Sequence, residues 1–293
     1  MTNRTWVGDD HNGSVYDPDN WSPAGRPQPG DTLNIVDGSA SVRGGNVAGD
    51  TLSLGYFGPA AGNLPASVAP VLNVSGGAAV NVAVSASFVN DSPTINVSGF
   101  DSVNISGAAS TLLGKSVNLQ VNINHGIMRG SLNTTNVGAT IDGSGKFANV
   151  NSALDIGTVK IDADMIGTGS TTLSFAHLEL GGSVFFGQKF AFSGPEASLT
   201  IDHPREFHGT IVEPTDMSAK NEQVNLLGLQ ADSYSLANDL LTLYAGHKVI
   251  DRIAFQPSTA ASTFVGQGAS GVVIGINEAA PAGVTPLPLH GTV

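Results

Sequence analysis

The densest run of ionisable side chains is Asp202-His203-Pro204-Arg205-Glu206-Phe207-His208. His203, Arg205, Glu206 and His208 supply acid, base and cationic clamp, the set that a polysaccharide lyase or glycoside hydrolase needs around its scissile linkage. In a β-strand, alternate residues face opposite sides. Asp202, Pro204, Glu206 and His208 would then share one face, with His203, Arg205 and Phe207 on the other. Such a division separates the acid from the clamp and favours a non-catalytic role.

A second set is rich in oxygen. Asp9, Asp10, Asn12, Ser14, Asp17 and Asp19 fall in one short stretch, and hard cations prefer several carboxylate and amide oxygens. Calcium is therefore the cofactor the sequence offers, through Asp9, Asp10, Asn12, Asp17 and Asp19. No bidentate Glu closes the loop, and a solvated cap built on Asx turns uses the same residue types.

Tyr16 and Tyr56 adjoin acidic or glycine loops, where an aromatic face would be open to the C–H groups of a sugar ring. Trp6 and Trp21 read instead as packing at the end of a core. His125 and His177 lie in or beside apolar strands and read as hydrogen-bonded structural histidines. There is no H-E-x-x-H, no G-x-S-x-G, no phosphate-binding glycine loop and no RTX array. The chain has no cysteine, which excludes thiolate chemistry and disulfides.

The elements that would position these residues follow from composition. Hydrophobic residues make up 41% of the chain and charged ones 12%, with 37 glycines; many short turns are implied, and an all-β fold fits best. A formal charge of -12 disfavours nucleic acid and anionic membrane surfaces as partners. No apolar run reaches the length of roughly 18 residues that a membrane-spanning helix needs. Met1 to Trp6 lacks the basic and apolar regions of a cleavable signal peptide, so no export signal is visible.

Residues 1–31, with both tryptophans, read as a looped N-terminal cap. From 32 to 212 the chain is a series of short apolar or alternating segments between Gly, Asn, Ser and Asp turns. Asn73-Val74-Ser75-Gly76, Asn96-Val97-Ser98-Gly99 and Asn104-Ile105-Ser106-Gly107 repeat one unit. The first two are one solenoid turn apart and the third about a third of a turn further on.

This predicts a right-handed parallel β-helix, a β-solenoid of three-sided coils with Val, Ile, Leu and Ala inside and Asn ladders at the corners. An antiparallel β-sandwich is the competing reading. Residues 213–278 are more charged and more irregular, and read as terminal β coils and hairpins, with turns at Ala237-Asn238-Asp239 and Ala245-Gly246-His247; residues 279–293 read as an extended tail.

The order Trp6-Val7-Gly8, Asn20-Trp21-Ser22, Pro27 to Asp31 and Leu33-Asn34-Ile35 resembles the entry segment of bacterial autotransporter-like and adhesin-like β-helix passenger proteins. The resemblance implies that Trp21 covers the end of the core. Leu199-Thr200-Ile201, Phe207-His208-Gly209-Thr210-Ile211, Val224-Asn225-Leu226 and Leu240-Leu241-Thr242-Leu243 are similar to the late repeats of secreted adhesin-like proteins. There the stretch around 202–208 is a connecting turn. Gln223-Val224-Asn225-Leu226 lacks the acidic residues of that pattern.

These observations lead to a secreted or cell-surface bacterial module, structural or adhesive, that binds a polysaccharide, another protomer or a surface component. A β-helix polysaccharide lyase or glycoside hydrolase is the enzyme alternative, and a self-assembling fibre subunit the third.

Overall fold

Runs in which Val, Ile, Leu or Phe alternate with Asn, Ser or Thr suit a pleated strand with one buried face. Glycines and short polar residues between the runs cap each at a few residues. The computed structural model describes residues 2–8, 13–29, 31–35, 39–43, 46–54, 71–86, 93–109, 117–135, 137–213, 221–256, 263–276 and 280–290. It is nearly all β, and the fold is a β-solenoid of parallel stacked coils. Two units divide the chain, Met1–Ala148 and Asn149–Val293.

In chain order the strands begin with β1 (Asn3–Trp6), β2 (Trp21–Ser22), β3 (Thr32–Ile35), β4 (Ser39–Arg43), β5 (Asn46–Leu54) and β6 (Val71–Ser75). Next come β7 (Ala79–Ala86), β8 (Thr94–Ala109), β9 (Val117–Gly130), β10 (Leu132–Thr135), β11 (Val137–Asp142) and β12 (Lys146–Asn149). The second unit continues with β13 (Asn151–Ile161), β14 (Asp164–Ile166), β15 (Ser170–Leu180), β16 (Lys189–Phe192), β17 (Ser198–Ile201) and β18 (Thr210–Val212). It ends with β19 (Glu222–Leu227), β20 (Ser233–Ala237), β21 (Leu240–Ala245), β22 (Lys248–Gln256), β23 (Thr263–Gln267), β24 (Gly271–Ile276) and β25 (Thr285–Pro286).

In the first unit the parallel register stacks Leu33 on Leu52, Leu52 on Val82, Val82 on Ile105 and Ile105 on Leu132. A second column runs Ala40, Leu72, Ile95, Val121, Ile141. All of these side chains are buried. Each buried Val, Leu or Ile contributes roughly 1.5–3 kcal/mol of transfer free energy, and stacking like on like lets a narrow core close without voids.

The Asn ladders form, but not at the corners. Asn73 donates to Ser39 Oγ at 3.0 Å, Asn96 to Asn73 Oδ1 at 2.9 Å and Asn122 to Asn96 Oδ1 at 2.9 Å. These residues sit mid-strand on the outward face. The Asn73–Asn96 step is 23 residues. Corners instead use glycine and side-chain staples, as where Asp101 Oδ1 accepts the Gly77 and Ala78 N–H groups of the preceding coil.

At the N-terminal cap Trp21 is 1% exposed, donates its indole N–H to Val15 O at 2.9 Å, and meets Trp6 edge-on at 5.2 Å. Gly8 is dictated by close approach, since a Cβ there would lie 2.6 Å from Trp6 Cζ2. Arg4 Nε donates to Asp31 Oδ2 at 2.8 Å. That bond, with the Thr2 and Gln28 N–H groups, holds the Asp31 carboxyl down at about 2.

The second unit also stacks in parallel, with columns Val159, Leu178, Leu199, Val224 and Thr171, Phe190, Ile211, Phe255. Its coil length varies from strand to strand: the Asn151–Ser170 step is 19 residues, the His177–Ser198 step 21 and the Ser198–Gln223 step 25. Near the end, β19 pairs antiparallel with β24, and β20, β21 and β22 form antiparallel hairpins. The first hairpin turns on Asn238 and Asp239, both with positive φ, as a two-residue primed turn requires. Residues 280–290 run along β23 and β20: β25 pairs with β23, and the His290 N–H donates to Tyr234 O at 2.7 Å.

One polar cluster lies inside this unit. Asn149 Nδ2 donates to Gln188 Oε1 at 3.0 Å, Ser152 Oγ donates to Asn149 Oδ1 at 2.7 Å, and Gln188 Nε2 donates to Ile166 O at 2.6 Å. Gln188 is 0% exposed. Gln188→Leu is expected to lower stability by about 2–3 kcal/mol, because Asn149 and the Ile166 carbonyl lose buried partners. Urea unfolding measures this, and a loss near zero would show the network to be dispensable.

Candidate functional site

The stretch 202–208 is not a strand. Pro204–Glu206 form a 3-10 turn with Pro204 buried inside, followed by Phe207, whose ring packs on Phe190 at 5.5 Å between centroids. Proline at the first turn position favours this geometry over a ladder. His203, Arg205, Glu206 and His208 are therefore all exposed, and strand alternation does not apply to them. They are still divided, because the turn sends them toward two different groups.

His203 lies beside the first group. In β13, β15, β17 and β19 the outward positions stack as two rows: Thr158, His177, Ser198, Gln223 and Lys160, Glu179, Thr200, Asn225. His177 Nδ1 is 2.7 Å from Ser198 Oγ. Lys160 Nζ is 2.9 Å from Glu179 Oε1 and 3.4 Å from Asp162 Oδ1. Gly181 makes room for that carboxylate, since a Cβ there would lie 2.0 Å from Asp162 Oδ1.

One coil further on, Asp202 keeps a buried Oδ1 with no hydrogen-bond partner among the described residues. Burial pushes the Asp202 carboxyl up, helped by Glu179, while Lys160 and His203 oppose the rise. The bond to Glu179 pushes the Lys160 ammonium up, which favours its charged form.

The second group surrounds the turn. Glu206 Oε2 accepts from Ser183 Oγ of the preceding coil at 2.6 Å. His208 stacks on Phe186, with centroids 4.7 Å apart and planes 10° from parallel. Burial pushes the Asp251 carboxyl up, opposed first by the Arg252 N–H it accepts at 2.8 Å and then by the charges of Arg205 and His208.

Both groups hold carboxylates, and in the first Lys160 is paired with two of them.

The remaining sequence candidates lie in the cap. Tyr16 is half-buried under the Arg26 guanidinium, 6.0 Å from its ring centre, and burial pushes its hydroxyl up. Asp17 caps the 3-10 turn Pro18–Asn20 by accepting the Asp19 N–H at 3.1 Å, and Asp19 is exposed. Asp9, Asp10, Asn12 and Tyr56 lie outside the described residues. Among the described residues no group of three His, Asp or Glu side chains is arranged to hold a metal ion.

Lys160, Asp162, Glu179 and Asp251 escaped the sequence reading, and His177 entered it only as a structural histidine. The missing signal was the local coil length: at the 19-residue step of this unit, Lys160 and Glu179 fall in one column. His125 is exposed at a corner with positive φ.

Comparison of the chain with protein families, with curated proteins and with solved structures finds no match.

Proposed function

We propose that this chain is a structural or adhesive β-solenoid module of a secreted or surface-attached protein, and that it binds a polysaccharide along the outward face of β13, β15, β17 and β19. The observation that supports this reading is the pair of continuous polar rows, Thr158 to Gln223 and Lys160 to Asn225, on parallel strands. Strands stack about 4.8 Å apart, so the rows offer hydrogen-bonding groups at a regular step, as a repeating ligand requires. His177 is tied to Ser198, Lys160 to Glu179 and Asn225 to Thr200, which lowers the entropy lost on binding. No transmembrane helix is present among the described residues.

A glycan array of neutral and acidic polysaccharides tests the reading directly. The wild-type protein should bind at least one of them. The double variant His177→Ala/Glu179→Ala should bind at least tenfold more weakly, about 1.4 kcal/mol, at an unchanged melting temperature. Silence of the wild type across the array overturns the reading. Release of reducing ends or unsaturated sugars would replace it with the lyase or hydrolase alternative.

A further inference from the structure

Two strand edges in the second unit are closed by a segment that adds nothing to the core. β20 pairs on one side with β21, and β23 with β24. On the other side of both runs the stretch 285–290. β25 is antiparallel to β23, and the Leu287 N–H donates to Val265 O at 3.0 Å. The Tyr234 N–H donates to Pro288 O at 3.1 Å, and the His290 N–H donates to Tyr234 O at 2.7 Å. The His290 ring stacks on Tyr244, with centroids 3.8 Å apart and planes 6° from parallel, and its Nδ1 lies 3.2 Å from Ser233 Oγ. Yet none of residues 280–290 is buried.

The segment is shaped for this position. The Val284 N–H donates to Pro281 O at 3.1 Å, closing a turn whose third residue, Gly283, has a φ of 83°, as a type II turn requires. That turn lays Val284 against β23, where a Cβ at Gly266 would lie 2.6 Å from Val284 Cγ1.

The edges themselves lack protection. Ser233 to Ala237 and Thr263 to Gln267 contain Tyr, Leu, Phe and Val and neither a charge nor a proline. Charges and prolines are what keep an edge strand from pairing with another chain, because its outward N–H and C=O groups are otherwise a template for one. Pro286 and Pro288 supply on the segment what the edges lack, since a residue without an N–H cannot extend a ladder.

We propose that residues 281–290 are a strap that guards the β20 and β23 edges, and that the surface beneath it is an interface for a second copy of this chain. The occupant follows from the geometry at Tyr234, whose N–H and C=O both point to the strap. In an antiparallel pair centred on this residue, each copy's Tyr234 exchanges both bonds with the other's, which closes a two-fold dimer. The strap is held by backbone bonds at a strand edge and by one ring stack, so it opens at far lower cost than the core.

The test lifts the strap in the full chain. Leu287→Pro/His290→Gly removes the bond to Val265 and the ring stack, and Gly283→Val strains the turn; both are expected to melt within about 4 °C of the wild type. In sedimentation velocity the wild type should remain monomeric up to about 100 μM, while each variant should dimerise below about 10 μM. Adding Tyr234→Pro, which deletes the N–H that the bared edge offers, should return the folded variants to monomer. Folded variants that stay monomeric throughout overturn the proposal. A wild type that is already dimeric does the same, as does association that survives Tyr234→Pro.

Discussion

Raising the pH from about 5 to about 8 is expected to destabilise the protein through Glu222, and Glu222→Gln should abolish that contribution. Glu222 is 0% exposed and neither carboxyl oxygen has a hydrogen-bond partner among the described residues. Its neighbour Glu213, 2% exposed, accepts from Thr263 Oγ1. Burial first, and the Glu213 charge second, push the Glu222 carboxyl up to about 7 from an ordinary 4.5.

Between these two values the folded state holds a proton that the unfolded chain has released, so stability falls with rising pH. The contribution is fully present below the unfolded value and lost once pH passes the folded one. Integrated over the shift it amounts to about 3 kcal/mol. The readout is the difference between wild-type and Glu222→Gln urea midpoints at the two pH values. That comparison cancels the other titrating groups and any fixed penalty of the amide. An equal difference at both would show that Glu222 does not titrate in this window.

Trp21→Ala carries the other large expected effect, a loss of about 3–5 kcal/mol from the N-terminal unit. The ring is 1% exposed, sits edge-on to Trp6, and donates its N–H to Val15 O. Removing it opens a cavity at the core end and strips a buried carbonyl of its donor. Trp21→Phe should cost less, about 1–2 kcal/mol, since the apolar volume is largely kept and the hydrogen bond is not. Urea unfolding monitored by circular dichroism distinguishes the two. A Trp21→Ala protein within about 1 kcal/mol of wild type would mean that the indole merely lies on the surface of the coil below.

The fold was legible because its signal is local. Short alternating runs broken by Gly and Asn cannot make long helices, and the 23-residue return of Asn73 at Asn96 is printed in the chain and realised as a hydrogen bond. The cap was readable for a similar reason: two tryptophans in a polar loop have few places to go but the end of a core. Hairpin turns within Ala237-Asn238-Asp239 and Ala245-Gly246-His247 were also readable, because short turns have their own residue preferences.

The candidate site was much less visible. Lys160, Glu179 and Asp202 are far apart in sequence, and their proximity depends on coil lengths that vary from 19 to 25 residues along these columns. A search at one fixed period misses columns whose step varies. The run from Asp202 to His208 misled in the opposite sense, since residues adjacent in sequence were parted by a 3-10 turn that Pro204 initiates and the buried Phe207 anchors.

Sequence by itself thus determined the kind of strand, the parallel stacking and the capped start, all of which follow from local propensity and from apolar faces that a single coil cannot bury. Tertiary structure alone decided which polar residues meet: Lys160 with Asp162 and Glu179, His177 with Ser198, and Ser183 with Glu206. The physical reason is register. In a solenoid each outward side chain is placed by the length of the loop that returns the chain to its column, and the apolar core, which holds the strands in line, leaves that length free to vary.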